Sequence, residues 1–487
     1  MSDISLSTQQ RPNLSAAKRL LLEKRLGRKI SGADATQTIP RRPAGARAPL
    51  SFAQERILMS ARREGNPTRY VRLVEFDGAL DVPALERAFG AVVRRHETLR
   101  TTFADDQGEL RQVVQPAREV TFPSVDLSAL DAAAQTAEIR YFADEEMRRP
   151  VDLTADPVWR AVLIKQAESR HVLLFSLLHI VSDYTSVRTL IGELAMCYEA
   201  FAQGRPLTLP ELPIQYGDYA HWERRWLQGE RLERLRAYWR TQLQGCPPDT
   251  RLPTDYPPPD APSFRGKNHR LEFPAGLAPS LNALGKQADA TLFMTLLAGF
   301  NALVYLRTGQ EDIVVGAGNA HRRHSLTEKL IGPFNNVLMM RTRLTGSLTF
   351  LELLRRVRKV ALEAYAHQDM PFALLLECLR LRDDSNSPLS QLGITLHTHQ
   401  EPKAQVAPPP APSGAVKVNI TGVGGRAAID LSLNLVEMAE SLGGSVEYNA
   451  DLFDDSTIAR LGEDYGRLLA TVAADPHVRL ADLPAGA

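Results

Sequence analysis

The chain has 487 residues, 44% hydrophobic and 24% charged, and its 58 Lys and Arg against 57 Asp and Glu leave a net charge of +1. That balance offers no broad field for nucleic acid or a membrane surface, so partners are recognised by local patches, and the length prior allows about three domains with a large core. Cys197, Cys246 and Cys378 lie far apart without zinc-type spacing, and there is neither an N-terminal apolar signal core nor a window of about 18 uninterrupted apolar residues, which fits a reduced, cytoplasmic setting.

Residues 1–46 are polar, basic and punctuated by proline around one helical stretch, Ser15 to Arg28. They read as a flexible basic arm or linker. From Leu50 helices alternate with strands. Tyr70 to Phe76 alternates as a strand, and Asp81 caps a helix with Pro83 in its first turn and Leu85, Phe89 and Val92 on one face. Arg160 to Lys165 and His171 to Leu178 read as paired strands and Val187 to Ala202 as a helix, so residues 47–215 form a first α/β lobe. Residues 216–487 form a second, beginning with a helix from Trp222 to Leu243 and a Pro-rich crossing from Pro247 to Pro262. Thr291 caps a helix through Leu306, Asp312 to Gly316 is a strand, and Phe350 to Ala366 is a helix. Strands follow at Leu392 to His399, Val416 to Gly422 and Leu431 to Val436, with a closing helix from Asp455 to Ala474. The Pro-rich segment from Glu401 to Ser413 reads as an exposed loop.

The chemistry concentrates where an apolar strand ends in Leu178-His179-Ile-Val-Ser182-Asp183-Tyr184. A lone histidine after an apolar run is most often a satisfied core group, but an imidazole fixed at a strand end can also take a proton or steady developing charge. Its company distinguishes this one. The chain carries, in order, Ser51-Phe-Ala-Gln54-Glu-Arg56, Arg94-Arg95-His96-Glu97-Thr-Leu-Arg100, Tyr216-Gly-Asp218-Tyr219-Ala-His-Trp222, Ile331-Gly332-Pro-Phe334-Asn335-Asn336, His367-Gln368-Asp369-Met-Pro371-Phe372 and Arg382-Asp383-Asp384-Ser385-Asn-Ser-Pro388-Leu389. This series resembles the signature motifs of condensation domains of nonribosomal peptide synthetases, from about Pro49 to Pro484.

The resemblance implies an α/β (α+β) fold of two chloramphenicol acetyltransferase-like lobes, a V-shaped pseudo-dimer with a tunnel between them. It implies an acyltransferase of natural-product and antibiotic biosynthesis that moves an acyl or peptidyl group from a carrier-protein thioester to an amine, forming an amide. The substrates ride on phosphopantetheine arms of a donor and an acceptor carrier, or the acceptor is a free amine or alcohol; the domain binds no cofactor of its own. A monomer is expected, either free-standing from Met1 or excised from a larger synthetase.

His179 matches the catalytic histidine of the family's His-His-x-x-x-Asp-Gly pattern. Asp183 matches its aspartate, which the resemblance pairs with Arg100 to hold the loop under the histidine. Leu178 and Tyr184 depart from it. Strand alternation turns Leu178 toward the lobe interior, where an apolar side chain is tolerated. Tyr184 replaces a glycine that supplies φ > 0 or free room, so it narrows the tunnel or adds a hydroxyl. Ser182 and Asn336 are expected to line the tunnel, whereas Tyr216, Asp218, Trp222, His367, Gln368, Asp369 and Pro371 are expected to be structural. The Gly316-Ala-Gly318 run lacks the third glycine of a dinucleotide fingerprint, and His179 with Asp183 is too small a set for a metal. Two further readings stay open, ester formation with a hydroxyl acceptor and a catalytically silent domain that recruits a partner protein.

Overall fold

The computed structural model describes residues 38–484 apart from 44, 107–108, 207–208, 248–249, 260–262, 264, 381–388, 390, 399–416, 423–424, 428 and 439–440. The helix expected at Ser15 to Arg28 and the loop from Glu401 to Ser413 lie outside the described residues. The first half runs β1 (Ala48–Pro49), α1 (Phe52–Glu64), β2 (Arg69–Asp77), α2 (Val82–Arg95), β3 (Thr101–Asp106), β4 (Glu109–Val114), β5 (Ser124–Asp126), α3 (Ala132–Arg148), β6 (Trp159–Ala167), β7 (Arg170–Leu178) and α4 (Tyr184–Ala202). The second begins with α5 (Tyr216–Trp226), α6 (Gly229–Leu243), β8 (Arg265–Glu272), α7 (Leu277–Gln287), α8 (Leu292–Thr308), β9 (Asp312–Asn319), β10 (Asn336–Arg343), α9 (Phe350–Ala366) and α10 (Phe372–Leu379). It closes with β11 (Leu392–Thr398), β12 (Lys417–Gly422), β13 (Gly425–Arg426), β14 (Leu431–Glu437), β15 (Leu442–Asn449) and α11 (Asp455–Ala474).

Local chemistry sets many of these elements. The Asp81 carboxylate accepts from Ala84 N at the start of α2, and Leu85, Phe89 and Val92 bury its inner face. Thr291 caps α8, and Gly309, at φ 70°, closes it in the left-handed region. The single helix expected from Trp222 to Leu243 is instead two, because the chain leaves helical geometry at Leu227 and Gln228 and Gly229 takes φ 57°.

Two sheets carry the halves. One has seven strands in the order β10-β9-β11-β14-β15-β8-β13 and the other five in the order β12-β2-β7-β6-β5, with a small third sheet β1-β4-β3. The expected boundary at residue 215 does not separate them. β12 pairs antiparallel with β2, Lys417 opposite Asp77 and Gly422 opposite Arg72, so a strand of the second half is the edge of the first half's sheet. Nor is all of 1–46 an arm: Ile39 is buried, and Arg42 bridges Glu97 and Asp218.

Candidate active site

β7 delivers His179 to the junction of the two halves. The strand ends at Leu178, buried in the first half's core, and the chain turns through a 3₁₀ turn, His179–Val181, whose first N–H donates to Thr68 O at 2.8 Å. His179 Nδ1 lies 2.6 Å from Ser182 O. A carbonyl can only accept, so Nδ1 holds the ring proton and Nε2 keeps its lone pair. Tyr70 of β2 meets the imidazole edge to face at 5.3 Å, its hydroxyl 3.4 Å from Nδ1. Burial first, and the charge of Arg56 on α1 second, push the His179 pKa down to about 4. The ring is therefore neutral at pH 7, deep in the protein yet still partly accessible.

Asp183 has a different partner from the one expected. It caps α4, accepting from Ser186 N and Oγ at 2.7 Å each. It then reaches into the second half, where Arg322 Nη2 donates to its Oδ1 at 3.0 Å and Phe334 N to its Oδ2 at 3.1 Å. Arg322 also donates to the Thr327 and Leu330 carbonyls and covers the Phe334 ring at 4.2 Å. Arg100 instead donates to Gln115 O at 2.6 Å, with Glu97 as its nearest carboxylate at 4.0 Å. The expected Arg100–Asp183 pair is thus replaced by a clasp between the halves, because Arg322 enters from a loop far along the chain.

Tyr184 is the first residue of α4, and its φ is not positive, so this backbone does not require glycine there. Its ring stacks on His397 of β11 at 4.0 Å and 29°, spanning the space between the halves. The two side chains expected to line a tunnel are both hydrogen-bonded to backbone. Ser182 is fully buried and donates to Leu178 O at 2.9 Å, contributing to the site through its carbonyl. Asn336 is spent on backbone: its Nδ2 donates to Gln368 O and Met370 O, and its Oδ1 accepts from Phe372 N.

Of the other motif residues, Tyr216 and Asp218 tie the halves together and the rest brace the second half. Tyr216 shares a 2.6 Å hydrogen bond with Ser51 Oγ and donates to Pro333 O at 2.8 Å. Its ring lies so close to Gly332 that a Cβ there would stand 2.0 Å from Tyr216 Cδ2, which is why that position is glycine. Asp218 pairs with Arg42, Trp222 stacks on Trp226 at 5.0 Å, and His367 lies flat on Tyr238 at 3.6 Å. Gln368 accepts from Asn319, Pro371 caps α10, and Asp369 pairs with His321 and Arg323.

Sequence reasoning missed Tyr70, Arg322 and His397. Each belongs to a strand or loop remote from the histidine motif, and Tyr70 shares its face of β2 with the core residues Val74 and Phe76. The seven-stranded sheet supplies the rest: Leu431, Leu433, Val446 and Ile394 point into its core. The alternate residues, among them His397, Ser432, Asn434 and Glu447, form the opposite, polar face.

A family model described as a condensation domain matches residues 45–485. A linear gramicidin synthase of Brevibacillus parabrevis is 41% identical over 456 residues, which is 91% of this chain but 6% of that synthase. The chain thus spans a small part of the length of that relative. The X-domain from teicoplanin biosynthesis superposes with a TM-score of 0.81 at 31% identity, over 92% of this chain and 99% of that one. A complex of the X-domain and OxyB from the same biosynthesis superposes equally well, with a TM-score of 0.81 at 31% identity over 93% and 99% of the two chains. The fold expected from the sequence, a pseudo-dimer of acetyltransferase-like lobes, is the fold of this chain.

Proposed function

The chain belongs to the condensation-domain family, and on that premise we propose that it is an acyltransferase joining a carrier-bound acyl or peptidyl thioester to an amine. The observation that carries this reading is the His179 ring, held in one tautomer by Ser182 O, with no hydrogen bond to Nε2 among the described residues. The amine lone pair attacks the thioester carbonyl carbon, the tetrahedral intermediate expels the thiolate, and one proton must pass from nitrogen toward sulfur. A neutral Nε2 accepts a hydrogen bond from the attacking N–H and relays that proton. Asp183 acts at a distance, fixing through α4 and Arg322 the loop that supplies the Ser182 carbonyl. Donor and acceptor arrive on phosphopantetheine arms of carrier proteins, or the acceptor arrives free.

His179→Ala should lower turnover by about 10²-fold or more while the protein stays folded. An unchanged rate from folded protein would remove the role given to His179.

A recruiting role is the second reading. Leu178 and Tyr184 depart from the family motif, the Tyr184–His397 stack spans the space between the halves, and the similar X-domain forms a complex with OxyB. Binding of a partner enzyme without product from any acceptor would select it. Ester formation is tested by including alcohols among the acceptors.

A further inference from the structure

The polar face of the seven-stranded sheet meets the first half at Tyr184, five residues beyond His179. His397 stacks on Tyr184. Two strands away, Glu447 of β15 stands opposite Ser432 on one side and Asn268 on the other, on that same face. Its charge acts on Tyr70, the residue whose hydroxyl is 3.4 Å from His179 Nδ1. No hydrogen bond or ion pair joins Glu447 to another of the described residues, and burial pushes its carboxyl up to about 7. Of the charged groups around it, Arg72 of β2 donates to Val71 O with its guanidinium 5.4 Å from the Tyr70 ring, Arg56 of α1 acts on both Tyr70 and His179, and Arg270 of β8 pairs with Glu272.

The transfer reaction lacks a group for one of its protons. An α-amine is charged until its proton leaves, with a pKa of about 8. His179, whose burial disfavours its charged form, is a poor acceptor for that proton. A carboxylate with no cation of its own, facing the same space, is matched to both the charge and the proton.

We propose that Glu447 receives the acceptor, drawing an α-ammonium to the space beside Tyr70 and taking the proton that must leave nitrogen before it attacks. This rests on the amine-transfer reading above. The acceptor enters as R–NH₃⁺, and the Glu447 carboxylate becomes a carboxylic acid. The freed lone pair forms the C–N bond at the thioester carbonyl carbon, and collapse of the intermediate breaks the C–S bond. The second proton passes from nitrogen through His179 Nε2 to the thiolate sulfur, and Glu447 returns the first to solvent. The acceptor class that follows is a cationic primary amine in preference to an alcohol.

The test compares wild type, Glu447→Gln and Glu447→Asp with an acyl-loaded donor carrier and two acceptors, glycinamide and hydroxylamine, the latter neutral at the assay pH. Thermal unfolding checks that the near-isosteric variants fold. Glu447→Gln should lose about 10²-fold more rate with glycinamide than with hydroxylamine, Glu447→Asp should recover part of it, and the rise of the glycinamide rate through about pH 7 should vanish in Glu447→Gln. Equal losses with both acceptors, or no loss, would overturn the inference. A wild type inactive with both would overturn the transfer reading and the inference with it.

Discussion

His179 is a histidine kept from charging, and that sets a pH signature. Its pKa is about 4 folded against about 6.5 unfolded, so the unfolded chain binds the proton first as pH falls. The neutral ring's contribution to stability is complete above about pH 6.5 and declines as the pH drops toward 4. Urea unfolding of wild type should weaken across that window more steeply than that of His179→Gln; parallel curves would contradict the assignment. Asp183 gives a second prediction. Asp183→Ala and Arg322→Ala should each cost about 3–5 kcal/mol, since each strands a buried charge, and the double variant should cost clearly less than their sum. Asp183→Ala and Arg100→Ala should be additive, and coupling between them would restore the pairing that the structure replaces. Tyr184→Gly removes the stack on His397 and should widen the range of acceptors without unfolding α4, since glycine in a first turn costs about 1 kcal/mol at most; an unchanged profile across a panel of amines and alcohols would reject a narrowing role. The sequence made His179 and Asp183 legible because both lie in one local motif. It hid Arg322, which is 139 residues from Asp183, since nothing local distinguishes that arginine from its neighbours.

The elements show the same division between local and remote causes. Caps and apolar faces are local, so α2 behind Asp81 and α8 behind Thr291 were readable from side-chain spacing. Strand pairing is not: the apolar run at β12 reads as a strand, but nothing in it says that its partner is β2, more than 300 residues earlier. Gly332 reads from sequence as a turn residue, whereas its fixed requirement is the Tyr216 ring, itself held by Ser51 and Pro333. Gly332→Ala should therefore destabilise by about 1–3 kcal/mol through overpacking. A melting temperature equal to that of wild type would show that the Tyr216 anchor yields.

For the whole molecule, the halves form one folding unit more than two lobes in contact. β12 completes the first sheet from the second half, and Asp183 depends on Arg322 and Phe334 across the junction. A fragment of residues 38–226 would expose the edge of β2 and leave Asp183 without its cation, so it should lack a cooperative urea transition. The same junction holds the histidine, so the central claim concerns both halves at once. The most direct test is intact-mass spectrometry of an acyl-loaded donor carrier incubated with this protein and a panel of amines, alcohols and an aminoacyl carrier, with His179→Ala alongside. The account predicts amide product that depends on His179 and falls by about 10²-fold or more in the variant; no product with any acceptor from folded protein, or product indifferent to His179, would contradict it.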